Sequence, residues 1–177
     1  MARLVASTLR SLLGDQHSTA LTWIAPFQEL STHLQTALPA NIEIEHVGST
    51  AVVGLAAKPI LDVDVVVPVE ALVAPTIAAL ATLGYQHKGN LGVVGREAFT
   101  VLDGFQHHHL YLVVSGSEAH RDHIDLRDYL RLHPEQAAAY GREKRRHEHL
   151  LATAREAYVA GKGPFVRALL AQSRMRA

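Results

Sequence analysis

The sequence predicts an α+β fold of α/β-like character: a mixed sheet flanked by helices, with a helical C-terminal tail. Three observations carry this. A central stretch, Ile42 to Val67, reads strand, Gly-Ser turn, loop, strand. Helical apolar periods lie on both sides of it. A further set of short β-rich segments between residues 91 and 114 supplies more strands before helices resume. With 177 residues the chain is expected to form one domain, with its sheet core over about 40–115 and its tail over about 118–177.

Taken in order, residues 2–13 carry a helical period in Leu4, Val5, Leu9, Leu12 and Leu13, ending at Gly14. Ser18-Thr19 reads as the cap of a second helix, from about Ala20 to Leu38, stopped by Pro39. Trp23, Phe27, Leu30 and Leu34 fall on one stripe of it, as core anchors. Strands follow at Ile42–Val47 and Ile60–Val67, then a helix from Val69 to Leu83, perturbed by Pro75 and ended by Gly84. Residues 91–95, 98–102 and 107–114 are candidate strands, with Asp103-Gly104 as a hairpin-type turn. The tail should hold a helix over about 118–132, another from Glu135 into the 150s, and a last one after Gly163-Pro164.

Composition narrows the functional classes. Hydrophobic content of 48% and charged content of 19% are ordinary for a globular chain. Seventeen basic residues balance seventeen acidic ones, so no global field points to nucleic acid. No cysteine is present, which removes disulfides and thiolate metal sites. No run of about 18 apolar residues marks a membrane span, and the N-terminus lacks the apolar core of a signal peptide. A cytoplasmic location is the expectation.

The chemistry concentrates in the central stretch. Asp62 and Asp64 stand in a run of Ile, Leu and Val, where bare carboxylates are costly. Side chains two apart on a strand share a face, so the pair projects together, as hard oxygen ligands for Mg²⁺ or Mn²⁺ would. Gly48 and Ser49 offer backbone N–H groups and a hydroxyl suited to a phosphate. Lys58 stands at the mouth of the second strand, within reach of a phosphate or of Asp62.

This order of strand, Gly-Ser, loop and Asp-x-Asp resembles the signature of the nucleotidyltransferase superfamily. The wording EHVGSTAVVGLAAKPILDVDVVV is closer still to the GrpB family, small proteins of nucleotidyltransferase-like fold. The resemblance extends into the tail through Arg127, Asp128, Tyr129, Arg131, Pro134, Tyr140 and Lys144. It implies that Asp62 and Asp64 hold the metal and that Gly48 and Ser49 seat the triphosphate. A nucleotide such as ATP and a small-molecule acceptor would be the partners. Lys144 would be the tail lysine that meets the triphosphate, or part of a solvated basic face. Arg127 is either a phosphate ligand or an ion-pair partner that ties tail to sheet. Tyr158, Lys162 and Phe165 match a final element, read as the docking of the last helix.

The superfamily's usual third carboxylate has no counterpart in HHHLYLVV, residues 107–114. His109 takes that place as a candidate catalytic residue, an acid or base in place of a negative charge. Tyr111 departs from the family's histidine. Glu97, Asp103 and Asp125 are left as acids that folding could bring in, and His120, His123, His147 and His149 read as surface residues. Two functions remain open: metal-dependent nucleotidyl or phosphoryl transfer, and nucleotide or anion binding without turnover.

Overall fold

The computed structural model describes residues 21–150 and 153–175. The helix expected over 2–13 and the cap at Ser18-Thr19 lie outside them. The elements run α1 (Leu21–Gln35), β1 (Glu43–Val47), β2 (Leu61–Val67), α2 (Val73–Thr82), β3 (Arg96–Ala98) and β4 (His108–Val114). Three helices follow: α3 (Glu118–Leu132), α4 (Pro134–Arg146) and α5 (Arg155–Arg174). The four strands form one sheet in the order β1-β2-β4-β3. β1 runs antiparallel to β2, β2 parallel to β4, and β3 antiparallel to β4, so the sheet is mixed.

Alternation along β2 sorts its side chains between two layers. Leu61, Val63, Val65 and Val67 are almost fully buried and pack, with Leu110 and Leu112 of β4, against Leu30 and Leu34 of α1 and Leu80 of α2. Each such burial stabilises by roughly 1.5–3 kcal/mol relative to exposure. The opposite face presents Asp62, Asp64 and Val66, and here Val66 and Val113 meet Ala119 of α3. A second cluster, including Leu55, Leu130, Tyr140 and Leu169, joins the Gly-Ser segment to α3, α4 and α5. The helical tail thus covers the face that carries the aspartates.

Several sequence expectations change. The expected strand at 91–95 is turn structure: Leu91, Gly92 and Gly95 have φ of 48°, 80° and 75°, which no strand accommodates. The expected strand at 98–102 shifts to Arg96–Ala98, with a single bridge from Phe99 to His87. Pro75 falls in the first turn of α2, where its missing N–H has no intrahelical acceptor to lose. The fifth helix does not begin after Gly163-Pro164 but runs through both. Tyr158 before the proline and Leu169 after it are both buried, and that burial outweighs the roughly 3 kcal/mol an interior proline costs.

Candidate functional site

The site lies where β1, β2 and β4 end beneath the tail. Register sets its neighbours: Asp62 stands between Val47 and His109, and Asp64 between Glu45 and Tyr111. The two carboxylates share a face, but their exposure differs. Asp62 keeps 32% of its side chain exposed, whereas Asp64 keeps 0%. Each engages one imidazole. His109 Nδ1 donates to Asp62 Oδ1 at 2.9 Å, and His123 Nδ1 donates to Asp64 Oδ2 at 2.7 Å. The other oxygen of Asp64 is buried with no hydrogen-bond partner.

His123, read from sequence as a surface residue, therefore lies under the helical layer against the buried aspartate. Burial alone would lower its pKa. The hydrogen bond to Asp64 and the charges of Asp64 and Asp62 outweigh that, and the net shift is upward. His108 points the other way, into the main core, where it bonds to Tyr85 Oη at 2.8 Å and to the carbonyl of Gln106 at 2.8 Å. Burial holds its pKa below the usual value.

The Gly48-Ser49 turn is folded directly against Asp62. Gly48 has φ of 70°, and a Cβ there would stand 2.2 Å from Asp62 Oδ2. Only glycine meets both demands. Ser49 opens a short 3-10 turn, Ser49–Ala51, and its hydroxyl accepts a hydrogen bond from Lys144 Nζ at 2.8 Å. That ammonium also donates to the carbonyl of Ala56. Lys144 is only 6% exposed, and burial, with Lys162 acting in the same direction, pushes its pKa down to about 7 while Asp62 opposes the shift.

Arg127 takes the ion-pair alternative. Its guanidinium donates to Glu45 at 2.5 Å, to Asp128 at 2.7 Å and to the carbonyl of His46 at 3.2 Å. It lines the cleft while already bound to two carboxylates. Lys58 lies over the ring of Tyr158 at 5.2 Å, and Lys162 over the same ring at 5.3 Å. Lys162, expected only to dock the last helix, instead faces the site. Of the acids left open by the sequence, Glu97 pairs with His87 at 2.6 Å and Asp125 with Arg174 at 3.0 Å, while Asp103 lies in a turn. Among the described residues, no group of three or more His, Cys, Asp or Glu could hold a metal.

Two hollows meet at this point. The larger, about 630 Å³, is mainly apolar, between the sheet and α3 and α5, with Leu55, Leu126, Leu130 and Val166 among its walls. The smaller, about 310 Å³, carries Lys58, Arg96, Lys144, Lys162 and His109, with Asp62 as its one acid among the described residues. Ser49, Asp62, Arg96, Tyr111 and Lys162 line both. Arg96 was not singled out from sequence. It sits in a glycine-punctuated segment with no local signature, and only the pairing of β3 with β4 brings it over Tyr111, 4.3 Å from the ring centroid.

Residues 17–172 match the family model described as GrpB protein. The chain belongs to the GrpB family. It is 35% identical over 156 residues to the UPF0157 protein PA4798 of Pseudomonas aeruginosa, covering 85% of this chain and 64% of that protein. It is 34% identical over 119 residues to the UPF0157 protein YqkA of Bacillus subtilis, covering 67% of this chain and 35% of that protein. The chain thus spans less than two thirds of the length of either relative. In three dimensions it is similar to the GrpB protein of Enterococcus faecalis, at TM-score 0.75 and 28% identity over 87% of this chain and 93% of that one. This GrpB-family chain shares with that protein the mixed α+β architecture described above. Among its described residues, no helix is long and apolar enough to cross a membrane.

Proposed function

We propose that this protein binds a nucleoside triphosphate together with Mg²⁺ or Mn²⁺ and moves a nucleotidyl or phosphoryl group to a small-molecule acceptor. One observation carries the reading: the Gly48-Ser49 turn is packed on Asp62, with Lys144 held against Ser49 at 2.8 Å. The Gly-Ser turn, a carboxylate and the buried Lys144 side chain thereby lie at one point.

The donor chemistry fits a hard divalent ion. Asp62 and Asp64 each give one oxygen to a histidine, and the second oxygen of Asp64 is buried without a partner. A cation would satisfy that oxygen. Mg²⁺ is commonly held by one or two carboxylates, with phosphate and water completing its shell. Asp62 and Asp64 are the residues that would hold it, and when bound it would neutralise phosphate charge. Gly48 and Ser49 would seat phosphates, and Lys58 and Lys144 would balance their charge. His109, fixed through Nδ1 on Asp62, would keep Nε2 as the nitrogen for proton transfer. Arg127 would act one step back, holding β1 to α3 through Glu45.

Calorimetric titration of ATP, GTP, CTP and UTP, with and without Mg²⁺ or Mn²⁺, tests this. Metal-dependent binding of a nucleotide is the expected result, lost in the Asp62→Asn/Asp64→Asn double variant. Undiminished binding by that variant would sink the proposal. The placement of His109 and Tyr111 on β4, beside the aspartates where a third acid would stand, favours a second reading: nucleotide binding without turnover. That reading predicts the same titration and no product with any acceptor.

A further inference from the structure

Arg96 is a cation of this site to which no role has been assigned above. Its side chain reaches from the edge strand β3 across Tyr111, and its Nε is buried without a hydrogen-bond partner. No carboxylate lies within ion-pair distance of it among the described residues, in contrast to Arg127 and Arg174, each of which holds two. A buried, unmatched guanidinium N–H costs free energy unless a ligand meets it. Its planar fork suits a carboxylate or a phosphate.

Position gives the ligand its role. Arg96 lines both hollows and stands at their junction with Asp62 and Ser49. It lies on the β4 side of Asp62, whereas Lys144 is anchored on the opposite side through Ser49 and Ala56. The carboxylates of the site are consequently bracketed by two separate cation positions. On the proposed reading, a triphosphate on the Gly-Ser turn would meet the first. The second lies over the strand that carries His109 and Tyr111.

We propose that Arg96, braced on Tyr111, is the docking point for an anionic group of the acceptor, a carboxylate or phosphate ester distinct from the triphosphate. The word acceptor rests on the transferase reading; the anion subsite itself does not. It makes the acceptor class a small acidic metabolite rather than a neutral alcohol or amine.

The test follows the Arg96 Nε–H resonance by NMR in the full chain. Inorganic phosphate and, separately, acetate are titrated, first into the empty protein and then into protein saturated with a non-hydrolysable ATP analogue and Mg²⁺. A saturable shift that persists in the loaded protein is expected. Arg96→Gln should weaken the phosphate or acetate binding to loaded protein by about tenfold or more, and change the analogue's affinity less than twofold. Lys144→Met should do the reverse. Whichever of phosphate and acetate saturates at lower concentration identifies the acceptor's acidic group. A resonance that answers neither anion overturns the proposal, and so does a response that the analogue abolishes, since Arg96 would then belong to the nucleotide. Should the analogue not bind at all, the transferase reading fails, and the titration of the empty protein still decides the anion subsite.

Discussion

Replacing Gly48 with alanine isolates the contact on which the site depends. Two costs arise, and the structure separates them. The first is conformational: at φ 70° and ψ −162° Gly48 lies in a region essentially confined to glycine, and an L-residue held there loses roughly 1–3 kcal/mol. The second is steric, because the new methyl would lie 2.2 Å from Asp62 Oδ2 and 2.8 Å from Asp62 Cβ. The Asp62 side chain must leave its rotamer, at about 0.5–1.5 kcal/mol, and its 2.9 Å bond from His109 breaks, at about another 1 kcal/mol. Together these come to roughly 2.5–5.5 kcal/mol. Gly54 is the control for the steric contact: its φ is also positive, at 74°, and nothing lies within 4 Å of its would-be Cβ. Gly54→Ala should therefore show a positive-φ cost without the steric one, about 1–2 kcal/mol. At roughly 2–4 °C per kcal/mol for a chain of this size, Gly48→Ala should melt several degrees below Gly54→Ala. It should also lose metal-dependent nucleotide binding, which Gly54→Ala keeps. Equal melting temperatures, with nucleotide binding intact in both, would refute the reasoning.

Other perturbations follow from the same geometry. His123→Asn should lower metal affinity by about tenfold or more while the protein stays folded by circular dichroism, because Asp64 loses the group that orients it. Lys144, with a folded pKa of about 7 against 10.5 unfolded, binds fewer protons when folded between those values; its contribution to stability rises with pH over that window. Denaturant titrations should show Lys144→Met gaining on the parent as pH falls from 9 to 6; a pH-independent difference would contradict this. His46, lowered to about 4 by burial first and by Arg131, is neutral when folded but protonates below about 6.5 when unfolded. Stability should fall as pH drops from 6.5 to 4, and His46→Gln should flatten that slope. Gly161→Ala would place a methyl 2.7 Å from the His147 ring, prising α5 from the end of α4, so a drop in melting temperature together with weaker nucleotide binding is expected.

The parts legible in the sequence are those fixed by short-range rules. Period-2 alternation set Asp62 beside Asp64 on one face of β2. The apolar stripe of Trp23, Phe27, Leu30 and Leu34 marked α1. Arg96 and His123 were not legible, because each acquires its role from pairing with an element distant in sequence: β3 against β4 for one, α3 beneath the sheet for the other. Residues 91–95 misled because their valines suit a strand, while the glycines around them hold the backbone at positive φ. Gly163-Pro164 misled in the opposite sense, since local breaker chemistry was overruled by burial on either side. Arg127 stood undecided because a helix face specifies direction and not partner; only the approach of Glu45 settled its ion pairs.

The closures that assemble the site have a consequence for how the chain folds. Asp62 meets His109 across 47 residues, Asp64 meets His123 across 59, and Ser49 meets Lys144 across 95. Loop closures of that span are slow steps, made after local helices and hairpins. A nascent chain with only its first strands exposed would carry the Gly-Ser turn and both aspartates without the side chains that meet them. Phosphate ligands would accordingly bind the native state and not partly folded forms, and would act on this protein as a selective brake on unfolding.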